Sequence, residues 1–328
     1  MPDEEIRPES KPETAPAAAP KETRPAEIPD GESKKAAKRK AKAEKKKNRR
    51  EGRRVRSLCP MNYVAVYIMK DRNDATNYYT DRVEISHTEE YIRQKKLEGK
   101  PDFNLMYVIL AAYVRTVAKH PEANRFIRGQ KIYARNCIEV MLTIKLEMKS
   151  NAPETVLKVF FPPDATADDV YRILNETIET ARKGDTSFDG LAKAINFIPG
   201  VLLRGTVGFL KFLDYFGLLP RALTRLSPFH GSLAITSMGS LRIRPIYHHL
   251  YNFGNIPAFI AFGNSYSEFE TQYDGSVRRR KYVEMKFCLD ERITDGYGYA
   301  SILHCLKHLL QNPFSLDEKP TEIKEDIP

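Results

Sequence analysis

Apolar residues recur at helical spacing most clearly from Phe103 onward, where Met106, Ile109, Leu110, Tyr113, Val114 and Val117 follow on one face. The pattern predicts a buried helix over 103–119. Pro121 biases His120 away from helical geometry, so the helix should stop there. Thr166 and Asp169 form a capping-box pattern ahead of a helix running to Arg182. Ser86, followed by Glu89, predicts a shorter helix over Ser86–Gln94. Ile302, Leu303, Leu306, Leu309 and Leu310 predict a last helix from about Tyr299 to Leu310.

Other stretches alternate. Met61–Met69, Gln130–Tyr133, Ile138–Glu147, Val156–Phe161, Leu233–Ser237, Ala258–Phe262 and Lys281–Leu289 read as strands. In the last, Val283, Met285, Phe287 and Leu289 point one way, and Tyr282, Glu284 and Lys286 the other. Interspersed helices and strands predict an α/β fold with a mixed sheet and flanking helices. Residues 195–226 are strongly apolar but are interrupted by Arg204, Lys211 and Asp214 and punctuated by Pro and Gly. No uncharged run there reaches the roughly eighteen residues of a spanning helix. Short amphipathic helices against a core or a subunit interface are expected, in preference to a helix lying on a membrane.

Charge divides the chain. Residues 33–56 hold fourteen Lys or Arg against two Glu, while the whole chain is +10, so residues 57–328 are near balance. Residues 1–56 carry Pro/Ala runs and like-charge blocks with almost no large apolar side chains, and should not order by themselves. The expected division is a tail at 1–56, a domain at 57–315 and a polar C-terminal tail at 316–328. The basic run is either a polyanion contact or a solvated extension. No aromatic residues interleave it, which argues against base stacking. Cys59, Cys137, Cys288 and Cys305 form no C-x-x-C pair, so neither a zinc site nor a disulfide framework is expected. The first ten residues lack an apolar signal segment, and a cytoplasmic location is expected.

The candidate chemistry lies at D-E-R-I-T-D-G, Asp290 to Gly296, where a strand meets a helix. This stretch resembles the D-H-R-x-x-D-G signature of the dihydrolipoamide acyltransferase catalytic core of 2-oxo acid dehydrogenase complexes. Chloramphenicol acetyltransferases carry H-x-x-x-D-G at the same place. Gly231–Gly239, G-S-L-A-I-T-S-M-G, is similar to that family's G-T-F-T-I-S-N-L-G strand. Asn255–Gly263 is similar to its N-x-P-x-x-A-I-L-G strand, and His120–Asn124 to its H/F-P-E-x-N turn. The four pieces keep the family's order across about residues 60–312.

The resemblance implies a chloramphenicol acetyltransferase-like fold, a homotrimer with active sites between subunits, and coenzyme A or acyl-CoA as substrate. Thr236 matches the hydroxyl that stabilises the oxyanion, with Ser237 beside it. Arg292, Asp295 and Gly296 match the motif arginine, the loop-holding aspartate, expected to act through an ionic contact, and the turn glycine. Glu291 stands where the catalytic histidine belongs. An ordinary glutamate, near pKa 4.3, is a much poorer base than histidine, near 6.5. Glu291 is thus either a base tuned by burial or a partner of an arginine in a structural ion pair.

His248 and His249, in an insertion between two matching strands, are candidate surrogate bases. His304 and His308 are spaced for a metal but lack a third ligand, and no metal is expected. His87 and His230 stand alone, and Asp71, Asp74, Asp168 and Asp169 read as turn or helix residues. No lipoyl hairpin occurs in the chain, so an acyl acceptor would be free or on another protein. Two functions remain open: a CoA-dependent acyltransferase, and a catalytically silent trimeric scaffold with a polyanion-binding tail.

Overall fold

The computed structural model describes residues 51–145, 154–183 and 199–328, all within one unit spanning Lys46–Pro328. Most of the expected tail, and the end of the strand expected over Ile138–Glu147, lie outside the described residues. The first half contains β1 (Gly52–Arg54), α1 (Pro60–Ile68), β2 (Thr76–Glu84), α2 (Ser86–Leu97), α3 (Leu105–Lys119), β3 (Arg125–Arg128), β4 (Lys131–Arg135) and β5 (Ile138–Lys145). There follow β6 (Glu154–Phe161), α4 (Ala167–Arg182), α5 (Gly200–Tyr215), α6 (Arg221–Leu226), β7 (Leu233–Ser237), β8 (Ala258–Thr271), β9 (Val277–Asp290) and α7 (Gly296–Gln311).

Six strands form a mixed sheet in the order β2-β9-β8-β7-β5-β6. β7 runs parallel to both β5 and β8, and the other neighbours pair antiparallel. Alternation puts one side of each strand into the core. Leu233 and Ile235, Ile260 and Phe262, and Val283, Met285, Phe287 and Leu289 all face it. α3 fills the space above: Tyr107 through Ala118 are buried without interruption. Asn104 caps its first turn by accepting from the Met106 amide at 2.9 Å. The Thr166–Asp169 capping box forms as the sequence predicts. β1, β4 and β3 make a small second sheet.

Three expectations are corrected. Met61–Met69 is not a strand: α1 covers Pro60–Ile68 and buries only Val66. Its aromatic and β-branched residues suggest a strand, but Pro60 suits the first helical turn. The edge of the sheet is taken instead by β2, a largely polar segment paired with β9 from Thr76↔Asp290 to Glu84↔Tyr282. Polar edge strands carry a weak hydrophobic alternation, which is why the pattern passes over this one.

The ends of the expected domain also move. Residues 52–54 pair with β4, although they belong to the basic run. The polar residues beyond 315 pack onto the domain: Asp326 forms a buried pair with Arg125, Lys324 donates to the Ala118 carbonyl at 2.8 Å, and Leu316 is buried. Charge composition misses both because each segment finds partners of opposite sign or open backbone groups.

Glu51 shows how the first segment is held. Its buried carboxylate accepts from Arg135 at 2.6 Å and Asn255 at 2.7 Å, and pairs with Arg128. Burial alone would raise its pKa, but Arg135 and Arg128 hold it well below the ordinary 4.5. A depressed folded-state pKa gives stability that is present above the unfolded value and lost as pH falls through the folded one. Urea titrations should therefore show stability falling as pH drops below about 4.5. Glu51→Gln should cost about 3–5 kcal/mol at pH 7, and flatten that acid dependence.

Candidate functional site

β9 delivers the chain to Asp290, whose amide donates to the Pro257 carbonyl at 2.8 Å. A single 3-10 turn, Glu291–Ile293, then leads to α7. The Asp290 carboxylate is fully buried and grips Arg292 at two points, Nε and Nη2, each at 2.8 Å. The same guanidinium donates from Nη1 to the carbonyls of Met69 and Lys70, just past α1. Arg72 Nε lies 3.4 Å from Asp290 Oδ2, the oxygen that also accepts from Arg292 Nη2. Burial pulls the Arg72 pKa down, and the Asp290 charge opposes that shift.

Glu291 takes no part in this cluster. Its amide donates to the Ala75 carbonyl at 2.8 Å, but its side chain is exposed and its carboxylate has no partner among the described residues. The expected ion pair with an arginine is not formed, because Arg292 and Arg72 are both committed to Asp290. The tuned-base alternative requires burial, which is also missing.

Asp295 acts as a helix cap. Its carboxylate accepts from the Gly298 amide at 2.8 Å, with no ionic partner among the described residues, which corrects the ionic role implied by the resemblance. Gly296 has open space where a Cβ would sit and no left-handed φ. The steric demand falls on Gly298, where a Cβ would stand 2.1 Å from Thr294 Oγ1. Tyr299 closes the turn by donating its hydroxyl to the Asp290 carbonyl; burial first, then the charges of Asp290 and Glu291, hold it protonated.

Thr236 and Ser237 separate. Strand alternation turns Ser237 to the side of Leu233 and Ile235, where it lines a cavity of about 480 Å³ with Tyr107, Phe262, Asn264 and Glu89. Thr236 faces away from the core, is half-buried, and has no hydrogen-bond partner for its hydroxyl among the described residues. It pairs with Ala261, while Asp290 is level with Pro257 across β8. Two strand spacings across and four residues along put Thr236 and Asp290 roughly 16 Å apart. One chain therefore does not bring Glu291 to Thr236.

The histidine insertion lies on the face that Thr236 occupies. Phe259 is in register with Ala234, so it shares that face with Thr236. The His248 ring stacks on Phe259, with centroids 4.3 Å apart and planes 8° from parallel. One strand across and two residues along put Phe259 about 8 Å from Thr236. Burial, then the neighbouring His249, lower the His248 pKa from 6.5. Its Nε2 is shielded and lacks a hydrogen-bond partner. His249 is exposed, edge-on to Tyr251 at 4.9 Å.

The loop itself is well seated. Tyr247 bonds Thr80 at 2.5 Å, and the Lys286 ammonium lies 4.4 Å above its ring. Arg72 donates to the Tyr251 carbonyl at 2.6 Å. Gly254 has φ +85°, and a Cβ there would stand 1.9 Å from the Phe229 carbonyl oxygen. Sequence reasoning misses Arg72; nothing in its neighbourhood along the chain signals that it joins Asp290 to this loop. His304 and His308 lie on α7, and no group of three His, Cys, Asp or Glu among the described residues is placed to hold a metal.

No protein-family model matches the chain, and no curated protein matches it. Solved structures do. A probable dihydrolipoamide acetyltransferase from Listeria monocytogenes is 16% identical with a TM-score of 0.51, covering 78% of this chain and 95% of that one. The cubic core of the pyruvate dehydrogenase multienzyme complex is 13% identical, also at 0.51, covering 78% and 88%. An Azotobacter vinelandii dihydrolipoamide acetyltransferase, studied for a serine, a histidine and an asparagine in its mechanism, is 12% identical at 0.51, covering 78% and 88%. The chain has the fold of these acyltransferase cores.

The two turn glycines should behave differently. Gly298→Ala should lose about 1–3 kcal/mol by urea denaturation. Gly296→Ala should stay within about 0.5 kcal/mol.

Proposed function

We propose that the chain is a CoA-dependent acyltransferase working as a homotrimer, with Thr236 stabilising the oxyanion. The observation that carries this reading is the Thr236 hydroxyl, without a hydrogen-bond partner among the described residues, on a face of an acyltransferase-type sheet where Phe259 carries an imidazole kept below its ordinary pKa. His248 is the base in this reading. It takes the proton from an acceptor thiol or hydroxyl, and the acceptor attacks the thioester carbonyl. The tetrahedral oxyanion rests on Thr236, and the proton then goes to the departing CoA thiolate. A neutral imidazole can accept that proton and becomes a cation that favours the oxyanion, which an ionised carboxylate cannot do. Asp290, Arg292 and Asp295 hold the frame. The acceptor is free or carried by another protein, the setting is cytoplasmic, and residues 33–56 supply a polyanion contact.

A catalytically silent trimeric scaffold is the second reading. It is favoured by Glu291, which stands exposed and unpaired at the position matching the family's histidine.

Thiol release from acetyl-CoA separates them. Thr236→Ala should slow turnover on the order of 10²-fold. His248→Gln should slow it by a similar factor, on the order of 10²–10⁴. Glu291→Gln should remain near wild type, with CoA affinity by calorimetry unchanged in all three. A wild-type chain that neither binds CoA nor releases thiol leaves only the scaffold.

A further inference from the structure

α5 carries apolar residues around most of its circumference and leaves many of them outside the domain. At 3.6 residues per turn, Leu202, Phe209 and Phe212 share an exposed side, while Leu203, Leu210 and Leu213, all half-buried, and the buried Asp214 turn toward the domain. A helix on a globular domain normally buries its apolar side. Here the buried residue is Asp214, with His230 Nε2 at 3.2 Å and Arg128 Nε at 3.6 Å from its carboxylate. Val201, Leu202, Phe209 and Phe212 are 87%, 64%, 60% and 56% exposed. The apolar surface continues through Phe216 and Leu218 to Leu223 and Leu226 on α6. Of the two placements expected for residues 195–226, against the core or at a subunit interface, these exposed side chains do not take the first; residues 195–198 lie outside the described residues.

Charge selects the occupant. Between Pro199 and Leu226 the only carboxylate is Asp214, which is spent on buried pairs, and Arg221 is spent on Glu139. The exposed charges are Arg204, Lys211 and Arg225, all positive. A second copy meeting this face with the same face would bring the same charges and repel. A bilayer carrying anionic headgroups offers both apolar depth and negative charge. No helix among the described residues is long and apolar enough to cross a membrane.

We propose that the exposed face of α5 and α6 is a docking surface for an anionic lipid bilayer, lying in the plane of the interface. The net +12 of residues 33–56 adds attraction of the same sign. This inference stands apart from the acyltransferase reading.

The test is flotation of the full chain with phosphatidylcholine vesicles, with and without phosphatidylglycerol, at physiological ionic strength. Wild type should float with the anionic vesicles only. The Phe209→Ser, Phe212→Ser double variant should lose at least about tenfold in bound fraction, with an unchanged urea midpoint because both rings are exposed. Equal flotation of the variant would assign binding to the basic run and overturn the proposal. So would no flotation of wild type, or a change in oligomeric mass without loss of vesicle binding, which would mark a face between copies.

Discussion

The Asp290 carboxylate organises the junction on which the rest of the site depends. It is wholly buried, so its charge must be met inside the protein. Arg292 meets it with a two-point bond and uses its remaining donor to hold the chain leaving α1. Arg72 approaches the same carboxylate and holds the Tyr251 carbonyl. One carboxylate thus ties the end of β9, the exit of α1 and the histidine loop. A buried pair of this kind adds little net stability over an apolar equivalent, but losing either partner strands a charge. Its value here is geometric, because three segments distant in sequence meet at fixed positions.

That frame separates two groups that the family resemblance joins in one site. Glu291 is next to Asp290 in sequence, yet its side chain leaves the cluster and meets solvent. Thr236 is far away along the chain, yet it shares a face with Phe259 and hence with His248. The pleat of the sheet does this, since residues in register on neighbouring strands point the same way. The same rule splits Thr236 from Ser237, sending one to the open face and the other to the cavity beneath the helices.

α5 shows the opposite relation between composition and placement. Its apolar residues are numerous enough for a core, but only Leu203, Leu210 and Leu213 turn toward the domain, beside its one carboxylate. The pairs with Arg128 and His230 anchor that side, and geometry then leaves the phenylalanines outside. An apolar surface of this kind marks an interaction site.

Much of the fold was legible in the sequence. α3, α4 and α7 announced themselves by period and caps, and β7, β8 and β9 by alternation, because these elements bury one face against the core. α1 and β2 were not legible: the first is mostly exposed, so its apolar residues report no period, and the second is a polar edge held by β9. By itself the sequence determined the mixed α/β class, the resemblance to acyltransferase cores, and the absence of a histidine at Glu291. Only the tertiary structure decided that Arg292 belongs to Asp290, that Asp295 caps α7, and that His248 stacks on Phe259, on the face that carries Thr236. Those outcomes turn on which side chain a buried charge captures and which face a strand presents. Both are set by contacts between segments far apart along the chain, and no local pattern encodes them.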